Sequence, residues 1–454
     1  MSRLLLCRDL ASHLPPAAGI ALSRIPYVWR LGTEYSRTQR RRREFANLNH
    51  SAQQQWMLDR VREIVGFAAS KIPFFRDHYR GCGFDPASLQ RFEDLPRIPL
   101  VSRADLKAVP LRNRSCPAPQ SMLVNTGGTS GEPLDFYVDR SAYAREWAHM
   151  HFIWSHLGYR PGDLKLTFRG RNLGSRPFMY SAVHNEFLIN TYVPLESQAS
   201  TVAALAGRYK VRFIHGYPSA LYAFCRHCLE QDPAALSEVT RTLRGVFLAS
   251  EYPAPVFRKT IEEALKAPTL AWYGHSEMAV LAWERERDVY EPLHSYGFCE
   301  AVAGDSNTFH LVGTSYFNRV SPFIRYDTGD LIQPSFKDGL LTSFAVVEGR
   351  VGDFILDSAG APISLTALIF GRHHELFADV RFVQVSQVRP GEATLLITLA
   401  KGCKLNPASI LEHFDASHVR VDFRVEVLDG PITSALGKVP LRVTTCDHPI
   451  SRGK

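Results

Sequence analysis

The feature that most constrains the fold is an alternation of strand-like runs with helical stretches, which begins at about residue 123. Runs rich in β-branched and aromatic residues occupy positions 164–168, 187–191, 211–215 and 245–250. Stretches with helical character follow some of these runs, at 219–231 and 255–265. Because neither kind of element can bury its apolar face alone, the alternation predicts a sheet covered by helices, which is an α/β architecture.

The chain on either side of this region has a different pattern. Apolar side chains recur at helical spacing over 52–70, and a proline-rich strap then leads to Ser102, a typical cap for a helix that begins near Arg103. Later runs at 309–316 and 340–347 predict a section of antiparallel strands. A small α+β unit is predicted to start near Arg350, with elements at 382–388, 393–399, 407–414 and 422–428.

The composition is that of an ordinary folded protein, with 45% hydrophobic and 22% charged residues among 454. No apolar run approaches the roughly 18 to 20 residues that a spanning helix needs. Arg8 and Asp9 interrupt the apolar block at 4–7 before it reaches the length of a signal-peptide core. We therefore expect a cytoplasmic protein without a transmembrane segment. The net charge of +8 is compatible with nucleic acid, a membrane surface or an anionic small substrate, and it does not choose among them.

Basic residues and cysteines form two local clusters. The arginines at 37 and 40–43 are predicted to lie on a solvated helix face, and contact with phosphate or lipid is the alternative. The eight cysteines show no regular spacing, which favours free thiols in a reducing compartment. Cys225 and Cys228 have the spacing of half a zinc site, but no second pair follows. Two thiols on one helix face is the favoured interpretation.

A loop rich in glycine, threonine and serine separates strand-like runs at 122–124 and 134–138. Its sequence is Asn125-Thr126-Gly127-Gly128-Thr129-Ser130-Gly131-Glu132-Pro133. Glycine permits backbone conformations that point successive N–H groups the same way, so such a loop can surround phosphate oxygens. It lacks the ending of a P-loop and does not open a helix, and a plain hairpin turn is the alternative.

Two further motifs place an aromatic ring and carboxylates near glycines. In Trp272-Tyr273-Gly274-His275-Ser276-Glu277, the ring of Tyr273 offers a stacking surface for a purine, and the carboxylate of Glu277 can hold Mg²⁺ against phosphate oxygens. Alternatively, Tyr273 is a core residue and Glu277 is the solvated start of a helix. In Asp327-Thr328-Gly329-Asp330, the last carboxylate follows a glycine turn and can accept two hydrogen bonds from a ribose diol, whereas a surface turn is the alternative.

The fourth motif is split between the two ends of the predicted α+β unit. Glu348-Gly349-Arg350 with Asp353 opens the unit, and Leu436-Gly437-Lys438 lies near its end. A lysine has a compact charge on a long stem, so Lys438 can reach a distant anion, although a lysine at a loop tip is most often merely exposed.

The order and separation of these four motifs resemble those of the adenylate-forming superfamily, which includes acyl-CoA synthetases and the adenylation domains of peptide synthetases. Within it the chain is most similar to the phenylacetate-CoA ligase family and its relatives in capsule biosynthesis. Segments 72–79, 94–100 and 215–219 support this branch. The resemblance implies a large N-terminal AMP-binding domain of mixed β-sheets flanked by helices, with a β-rich subdomain, over 1–349. A small mobile α+β domain would follow over 350–454.

The resemblance also assigns roles to single residues. The loop that grips the phosphates of ATP would comprise Thr126, Gly127, Gly128, Thr129, Ser130 and Gly131. Tyr273, beside Gly274, would stack on adenine, Glu277 would ligate Mg²⁺, and Asp330 would hold the ribose hydroxyls. Thr129, Arg350 and Lys438 would be catalytic, with Arg350 at ribose or phosphate and Lys438 at the substrate carboxylate and the α-phosphate.

Other positions would line the acyl pocket. The resemblance implies that Tyr217, Ser250, Glu251 and Trp272 do so. His275 would either contact the acyl carboxylate or satisfy backbone groups, and the sequence favours neither. The chain departs from many superfamily members at Glu132, where they have lysine, and at Gly352, where the hinge residue is commonly charged.

The activity that the resemblance implies is the ATP- and Mg²⁺-dependent activation of an aryl or acyl carboxylic acid, followed by thioester formation with coenzyme A. Transfer to an amine or to a carrier-protein thiol, in polysaccharide or secondary metabolism, is the alternative. A basic protein that binds nucleic acid or anionic lipid would leave the ordered motifs unexplained. We therefore expect the partners to be a small carboxylic acid, ATP and CoA, with no nucleic acid. The sequence leaves the oligomeric state open, a homodimer included.

Overall fold

The computed structural model describes residues 15–443, apart from 24, 126–133, 170–172, 305–308, 349–353, 361, 371–378, 401, 404, 415, 417–418 and 434–438. These residues form a mixed α/β structure, as the alternation of strands and helices predicts. Among them, no helix combines the length and the apolar character that crossing a membrane requires.

The N-terminal part of the chain is helical. Its helices are α1 (Pro16–Leu22), α2 (Tyr27–Leu31), α3 (Thr33–Ala46), α4 (His50–Lys71), α5 (Pro73–Gly81) and α6 (Arg103–Lys107). Helix α4 confirms the prediction over 52–70. Helix α6 begins where predicted because Ser102 Oγ accepts the N–H of Asp105 at 3.2 Å, while the Asp105 carboxylate accepts the N–H of Ser102 at 2.8 Å. This reciprocal pair is a capping box.

The arginine-rich stretch lies on α3 and is only partly solvated. Three of its arginines are exposed as predicted, but Arg41 and Arg42 are half-buried. The guanidinium carbon of Arg42 lies 3.8 Å from the centre of the Phe152 ring, and that of Arg41 lies 4.4 Å from the centre of the Phe317 ring. The prediction of a solvated face is therefore wrong for these two, because cation–π contacts hold them against the body of the protein.

A hairpin and the first half of a large sheet follow. The hairpin consists of β1 (Met122–Asn125) and β2 (Asp135–Val138), which pair antiparallel and flank the predicted phosphate loop. The sheet begins with β3 (Lys165–Phe168), β4 (Phe178–Ser181), β5 (Glu186–Ile189), β6 (Phe213–Gly216), β7 (Gly245–Leu248) and β8 (Thr269–Gly274). Strands β5, β3, β6, β7 and β8 are parallel neighbours in this order. Most of their residues are buried on both faces, as parallel strands covered by helices require.

Helices cover both faces of these parallel strands. They are α7 (Ala142–Ser155), α8 (Leu195–Arg208), α9 (Pro218–Gln231), α10 (Pro233–Thr240) and α11 (Pro255–Leu265). Helix α7 packs on one face, where the ring of Trp154 stacks on Phe247 with centres 4.5 Å apart. Helices α8 to α11 contribute apolar side chains to the core cluster on the other face. The predictions at 219–231 and 255–265 are confirmed.

The second half of the sheet is antiparallel. Its strands are β9 (Leu281–Glu286), β10 (Val289–Pro292), β11 (Gly297–Ala303), β12 (Phe309–Ser315), β13 (Tyr326–Lys337) and β14 (Leu340–Glu348). In the described part of the chain, twelve strands join in the order β11-β12-β13-β14-β10-β9-β8-β7-β6-β3-β5-β4. The β-rich section is therefore continuous with the parallel strands, because β8 pairs parallel with β7 and antiparallel with β9.

The proline-rich strap is held against the sheet by Arg325. Its Nη1 donates to the carbonyl oxygens of Pro96 at 2.5 Å and Ile98 at 2.6 Å, and its Nε lies 3.3 Å from the carboxylate of Glu300. One cation thus satisfies two backbone carbonyls of the strap. The strap is thereby a structural support for the sheet.

The C-terminal part of the chain has a sheet and an apolar cluster of its own. Its elements are β15 (Phe354–Leu356), β16 (Pro362–Ser364), α12 (Leu365–Phe370), β17 (Val380–Arg389), β18 (Glu392–Leu399), α13 (Pro407–His413), β19 (Asp422–Leu428) and β20 (Arg442–Val443). Strands β19, β18, β17 and β20 form a separate sheet in this order, and a separate cluster of buried apolar side chains supports it. The elements predicted in this region are confirmed, whereas residues 349–353, which contain the predicted boundary, lie outside the described residues.

Candidate active site

The carboxyl ends of four parallel strands bring several predicted site residues to one edge of the sheet. Phe168, Gly216, Leu248 and Ala271 are aligned across β3, β6, β7 and β8. The residues that follow them include Tyr217, Ser250–Glu251 and Trp272–Tyr273. Ligands of open α/β sheets bind outside the carboxyl ends of the strands, because the loops there are free to form a crevice. This edge is therefore the candidate site.

Strand β8 places Tyr273 and Asp330 in direct contact. The phenolic hydroxyl of Tyr273 donates a hydrogen bond to Oδ2 of Asp330. Asp330 is 4% exposed, and the ring of Tyr273 packs edge-on against Phe344 of β14. Two of the separate motifs therefore meet in the structure, and both side chains have defined positions.

The structure excludes the alternative of a surface turn for Asp330. Asp330 lies within β13, which is one of the long strands of the sheet. Gly329 before it has a φ of +78°, a conformation that favours glycine, and the register with β12 shifts at this point. The N–H of Asp330 lies 3.2 Å from Thr328 Oγ1. A bulge in a partly buried strand, and not a loop, thus turns Asp330 toward Tyr273.

Glu277 is buried and is held by two neighbours. It is 3% exposed, one carboxylate oxygen lies 3.2 Å from His275 Nδ1, and the other accepts the hydroxyl of Tyr326 at 3.3 Å. The alternative of a solvated helix start is excluded, because a tight turn leads from Glu277 directly into β9. The carboxylate that His275 contacts in the structure belongs to Glu277, and its role toward the acyl carboxylate stays a prediction.

The surroundings of Glu277 suit Mg²⁺. Among the described residues, no group of three or more His, Cys, Asp and Glu side chains could enclose a metal ion. Mg²⁺ does not need such a cage, since it usually keeps several waters and binds one or two carboxylates together with substrate phosphates. A single fixed carboxylate such as Glu277 therefore fits Mg²⁺ better than it fits a structural metal.

The hairpin that flanks the predicted phosphate loop packs against the same region. The ring of Phe136 in β2 lies 5.1 Å from that of Phe323, which lies 5.0 Å from that of Tyr326, the residue that donates to Glu277. The ends of the loop are thus connected to the Glu277 turn through a short series of aromatic contacts. Residues 126–133 themselves, with Thr126, Gly127, Gly128, Thr129, Ser130 and Gly131, lie outside the described residues.

Glu251 connects the sheet edge with the C-terminal part of the chain. Its carboxylate accepts the N–H and the hydroxyl of Ser219, both at 3.0 Å, and the backbone N–H of Val439 at 3.1 Å. Ser250 before it has a φ of 68°, which is uncommon for a residue other than glycine and is typical of functional sites. Val439 directly follows Lys438, which lies outside the described residues, as does Arg350.

Trp272 and a buried histidine lie on the face of the sheet that α7 covers. The ring centres of His215 and Trp272 are 5.5 Å apart. His215 is 3% exposed, and its Nε2 has no hydrogen-bond partner within the described residues. Burial, reinforced by the charge of Arg169, holds the pKa of His215 well below its usual range, so the imidazole is neutral.

Glu146 is a partly buried acid that no sequence motif indicates. It lies on α7 and accepts the hydroxyl of Tyr296 at 2.5 Å. Burial raises the pKa of Glu146, and the hydrogen bond from Tyr296 and the charge of His275 oppose the rise. No pattern in the chain marks Glu146, because glutamate is an ordinary residue in a helix and only the fold brings it near His275.

The structure thus brings together Tyr273, Gly274, His275, Glu277 and Asp330, and it places Ser250, Glu251 and Trp272 at the same sheet edge. Cys225 and Cys228 lie elsewhere, on α9, where both are buried in the apolar core. Burial raises the pKa of Cys228 to about 12 and raises the pKa of Cys225 well above its usual range. The two cysteines are therefore buried thiols on one helix, which confirms the interpretation favoured from the sequence.

Comparisons with known proteins give relatives by sequence and by fold. No family model matches the chain. The chain is 21% identical to protein CapK of Staphylococcus aureus over 46% of its own length and 47% of that protein. It is 25% identical to the phenylacetate-coenzyme A ligase of Thermus thermophilus over 60% of its own length and 64% of the ligase. The matches therefore span about half to two thirds of these curated relatives.

Among solved structures, the fold is similar to that of a 2-hydroxyisobutyryl-CoA ligase in the postadenylation state, in complex with an acyl-AMP. The TM-score is 0.64 at 18% identity, and the match covers 87% of this chain and 90% of the ligase. At this identity the likeness shows the fold. Together with the sequence relatives, it places the chain in the adenylate-forming superfamily, in the branch that resembles phenylacetate-CoA ligases.

Proposed function

We propose that this protein activates an organic carboxylic acid with ATP as an acyl-adenylate and then transfers the acyl group to the thiol of coenzyme A. The observation that supports the proposal most is the contact between Tyr273 and Asp330, with Glu277 held in the turn that follows β8. An aromatic ring, a buried acceptor for the ribose and a fixed carboxylate are thereby adjacent. These are the groups that ATP and Mg²⁺ require of a site.

The chemistry requires an anionic nucleophile to reach a phosphate. An oxygen of the carboxylate bonds to the α-phosphorus of ATP while the bond from that phosphorus to the bridging oxygen breaks, and pyrophosphate leaves. Positive charge and N–H donors must converge there, because repulsion between the two anions otherwise dominates. Mg²⁺ held by Glu277 would supply part of that charge. The donors of residues 126–131, Arg350 and Lys438 are proposed to supply the rest.

Substrate positioning is proposed to involve three parts of the site. Tyr273 would stack on the adenine next to the open backbone of Gly274, and Asp330 would hold the ribose. Ser250, Glu251 and Trp272 would border the acyl group at the carboxyl ends of β7 and β8. We further propose that residues 1–349 form the nucleotide-binding domain and that 350–454 form the small domain that brings Lys438 to the substrates. The separate sheet and apolar cluster of the C-terminal part support this division.

The test of the first step is acid-dependent release of pyrophosphate from ATP and Mg²⁺, with a panel of aryl, branched and linear carboxylic acids. At least one acid should stimulate release well above the acid-free rate. The variant Asp330→Asn should lose most of this stimulation while its unfolding temperature stays near that of the unmodified protein. Absence of stimulation across a broad panel would contradict the proposal.

The test of the second step is the identity of the acceptor. With the best acid, omission of CoA should leave a single turnover of pyrophosphate release, and addition of CoA should give the acyl-CoA thioester. If release continues but no thioester forms, the acceptor is an amine or a carrier-protein thiol. The relatives named as CoA ligases support the thiol of CoA as the first choice.

A further inference from the structure

Helix α9 is linked to the C-terminal unit, residues 354–443, at both of its ends, through Glu251 at the first turn and directly at the last turn. At its first turn, Glu251 accepts the N–H and the hydroxyl of Ser219, the second residue of α9. The residue before the helix supplies no side-chain cap, so Glu251 satisfies a backbone N–H that the helix leaves open. The same carboxylate accepts the N–H of Val439 at 3.1 Å, and the side chain of Val439 packs against the main core.

The last turn of α9 makes a second and different contact. The carboxylate of Glu230 lies 2.8 Å from Arg226 on the same helix and 3.0 Å from Nη2 of Arg381 on β17. The ring of Phe382, next to Arg381, lies edge-on to that of Tyr222 on α9, with centres 6.1 Å apart. An ion pair and an aromatic contact therefore join β17 to α9.

The two contacts belong to one rigid part of the C-terminal unit. Gln384 on β17 is 1% exposed, and its amide group donates to the carbonyls of Ile432 at 2.9 Å and Pro440 at 2.7 Å. Its carbonyl accepts the N–H of Ile432 at 2.8 Å. The chain around Val439 is thereby fixed to the strand that carries Arg381. Helix α9 has 14 residues, so the contacts at its ends are about 20 Å apart and resist rotation of the unit.

We propose that α9 sets the orientation of the C-terminal unit for the acid-activating step, with Glu251 as the positioning residue that holds the N–H of Val439. The inference rests on the proposed function. It adds the contacts that hold Val439, the residue after Lys438, at the carboxyl ends of β6 and β7. Glu251 acts through the backbone of the C-terminal unit. The ion pair of Glu230 with Arg381 holds the C-terminal unit at the other end of α9.

The first test removes the N–H that Glu251 accepts. Val439→Pro lacks this N–H, and the matched variant Val439→Ala keeps it while it also loses side-chain contacts. Val439→Pro should lower acid-dependent pyrophosphate release about 10- to 100-fold, because small displacements of catalytic groups cost this much. Conversion of a separately supplied acyl-adenylate and CoA to thioester should change less than about threefold. Equal losses of pyrophosphate release in the two variants would overturn the proposal.

Proline at 439 also restricts the residue before it, so the far end of α9 provides an independent variant. Glu230→Arg should lower pyrophosphate release through repulsion of Arg381, and the double variant Glu230→Arg/Arg381→Glu should recover at least part of it. If the double variant releases pyrophosphate no faster than Glu230→Arg, the ion pair does not set the orientation of the C-terminal unit. Thermal unfolding of each variant identifies losses that come from a damaged fold.

A second measurement does not depend on activity. Hydrogen exchange of the Val439 amide should be slow in the unmodified protein and at least about tenfold faster in Arg381→Met, which contacts neither Val439 nor Glu251. Lys259→Met, an exposed change on α11, should leave the exchange rate as it is. Unchanged exchange in Arg381→Met contradicts docking on α9. Absent pyrophosphate release from the unmodified protein contradicts the proposed function, so the two failures are distinguishable.

Discussion

Tyr273 donates its phenolic hydrogen bond to the carboxylate of Asp330, a residue 57 positions further along the chain. The contact joins the end of a parallel strand to a bulge in an antiparallel one, so it exists only because both kinds of strand share one sheet. Two side chains with proposed roles at the adenine and at the ribose thereby position each other.

The first prediction concerns this pair. Tyr273→Phe keeps the ring and removes the hydroxyl, so the buried carboxylate of Asp330 loses one hydrogen-bond donor. The loss of a partner for a buried polar group costs about 1–3 kcal/mol of free energy. We expect the dissociation constant for ATP to rise about tenfold, as measured by isothermal titration. Phe344→Leu, a change in the ring that packs against Tyr273, should have a smaller effect on ATP binding. Unchanged ATP affinity in Tyr273→Phe would argue against a positioning role of the hydroxyl.

The second prediction concerns Glu277. Glu277→Gln keeps the size of the side chain and removes the charge that is proposed to hold Mg²⁺. We expect pyrophosphate release at saturating acid to fall about 100-fold or more, because the ion neutralises charge in the transition state. The Mg²⁺ concentration for half-maximal rate should rise as well. Glu291→Gln, which alters an exposed carboxylate on β10, serves as the control and should leave the Mg²⁺ dependence as it is.

The third prediction concerns a buried ion pair behind β8. Arg258 on α11 forms two hydrogen bonds with the carboxylate of Glu284, at 2.5 and 2.8 Å, and that carboxylate also accepts the N–H of Ala271. Arg258→Met leaves a buried charge without its main partner, and we expect the free energy of unfolding to fall by about 3–5 kcal/mol.

Urea denaturation measures this loss, and the neighbouring residue provides a matched control. Lys259 pairs with Glu263 at 3.9 Å, and both side chains are largely exposed. Lys259→Met should therefore change the free energy of unfolding by less than about 1 kcal/mol. Equal effects of the two variants would show that the Arg258 pair is not important for stability.

The fourth prediction concerns the pH dependence of stability. Burial raises the pKa of Glu300 from 4.5 to about 7, although the neighbouring Arg325 opposes the rise. The folded state binds the proton of Glu300 more tightly than the unfolded state does. The contribution of this proton to the free energy of unfolding is therefore complete below pH 4.5 and is lost as the pH rises through 7. A variant with a neutral side chain at position 300 should not lose stability in this way.

Glu300→Gln should therefore gain stability relative to the unmodified protein as the pH rises from 5 to 8, by up to about 3 kcal/mol. Urea denaturation at both pH values measures the difference. Stability curves that stay parallel over this range would show that the carboxylate of Glu300 is charged at pH 5 already.

The positions of many elements follow from the sequence because their causes are local. Helix α4 is predicted by the spacing of its apolar residues, and α6 by the cap at Ser102. Strands β17, β18 and β19 are predicted within a few residues by their β-branched and aromatic runs. Periodicity and capping depend on residues within one or two turns, which a single sequence displays.

The order of the motifs also belongs to the sequence, and it suffices to suggest a nucleotide site. Tyr273, Glu277 and Asp330 are all singled out by their neighbours in the chain. The sequence nevertheless does not indicate which groups surround Asp330 and Glu277. Asp330 lies in a bulged strand and not in a surface turn, and Glu277 is buried beside His275 and Tyr326.

Only the tertiary structure decides which distant groups meet. It pairs Tyr273 with Asp330, uses Glu251 to join Ser219 with Val439, and places Glu146 against Tyr296. The physical reason is that burial, hydrogen bonding and ionisation depend on which elements pack together, and that packing results from the whole apolar pattern of the chain. Local sequence therefore determines what each segment can be, and the packing of the sheet, its helices and the C-terminal unit determines what each side chain contacts.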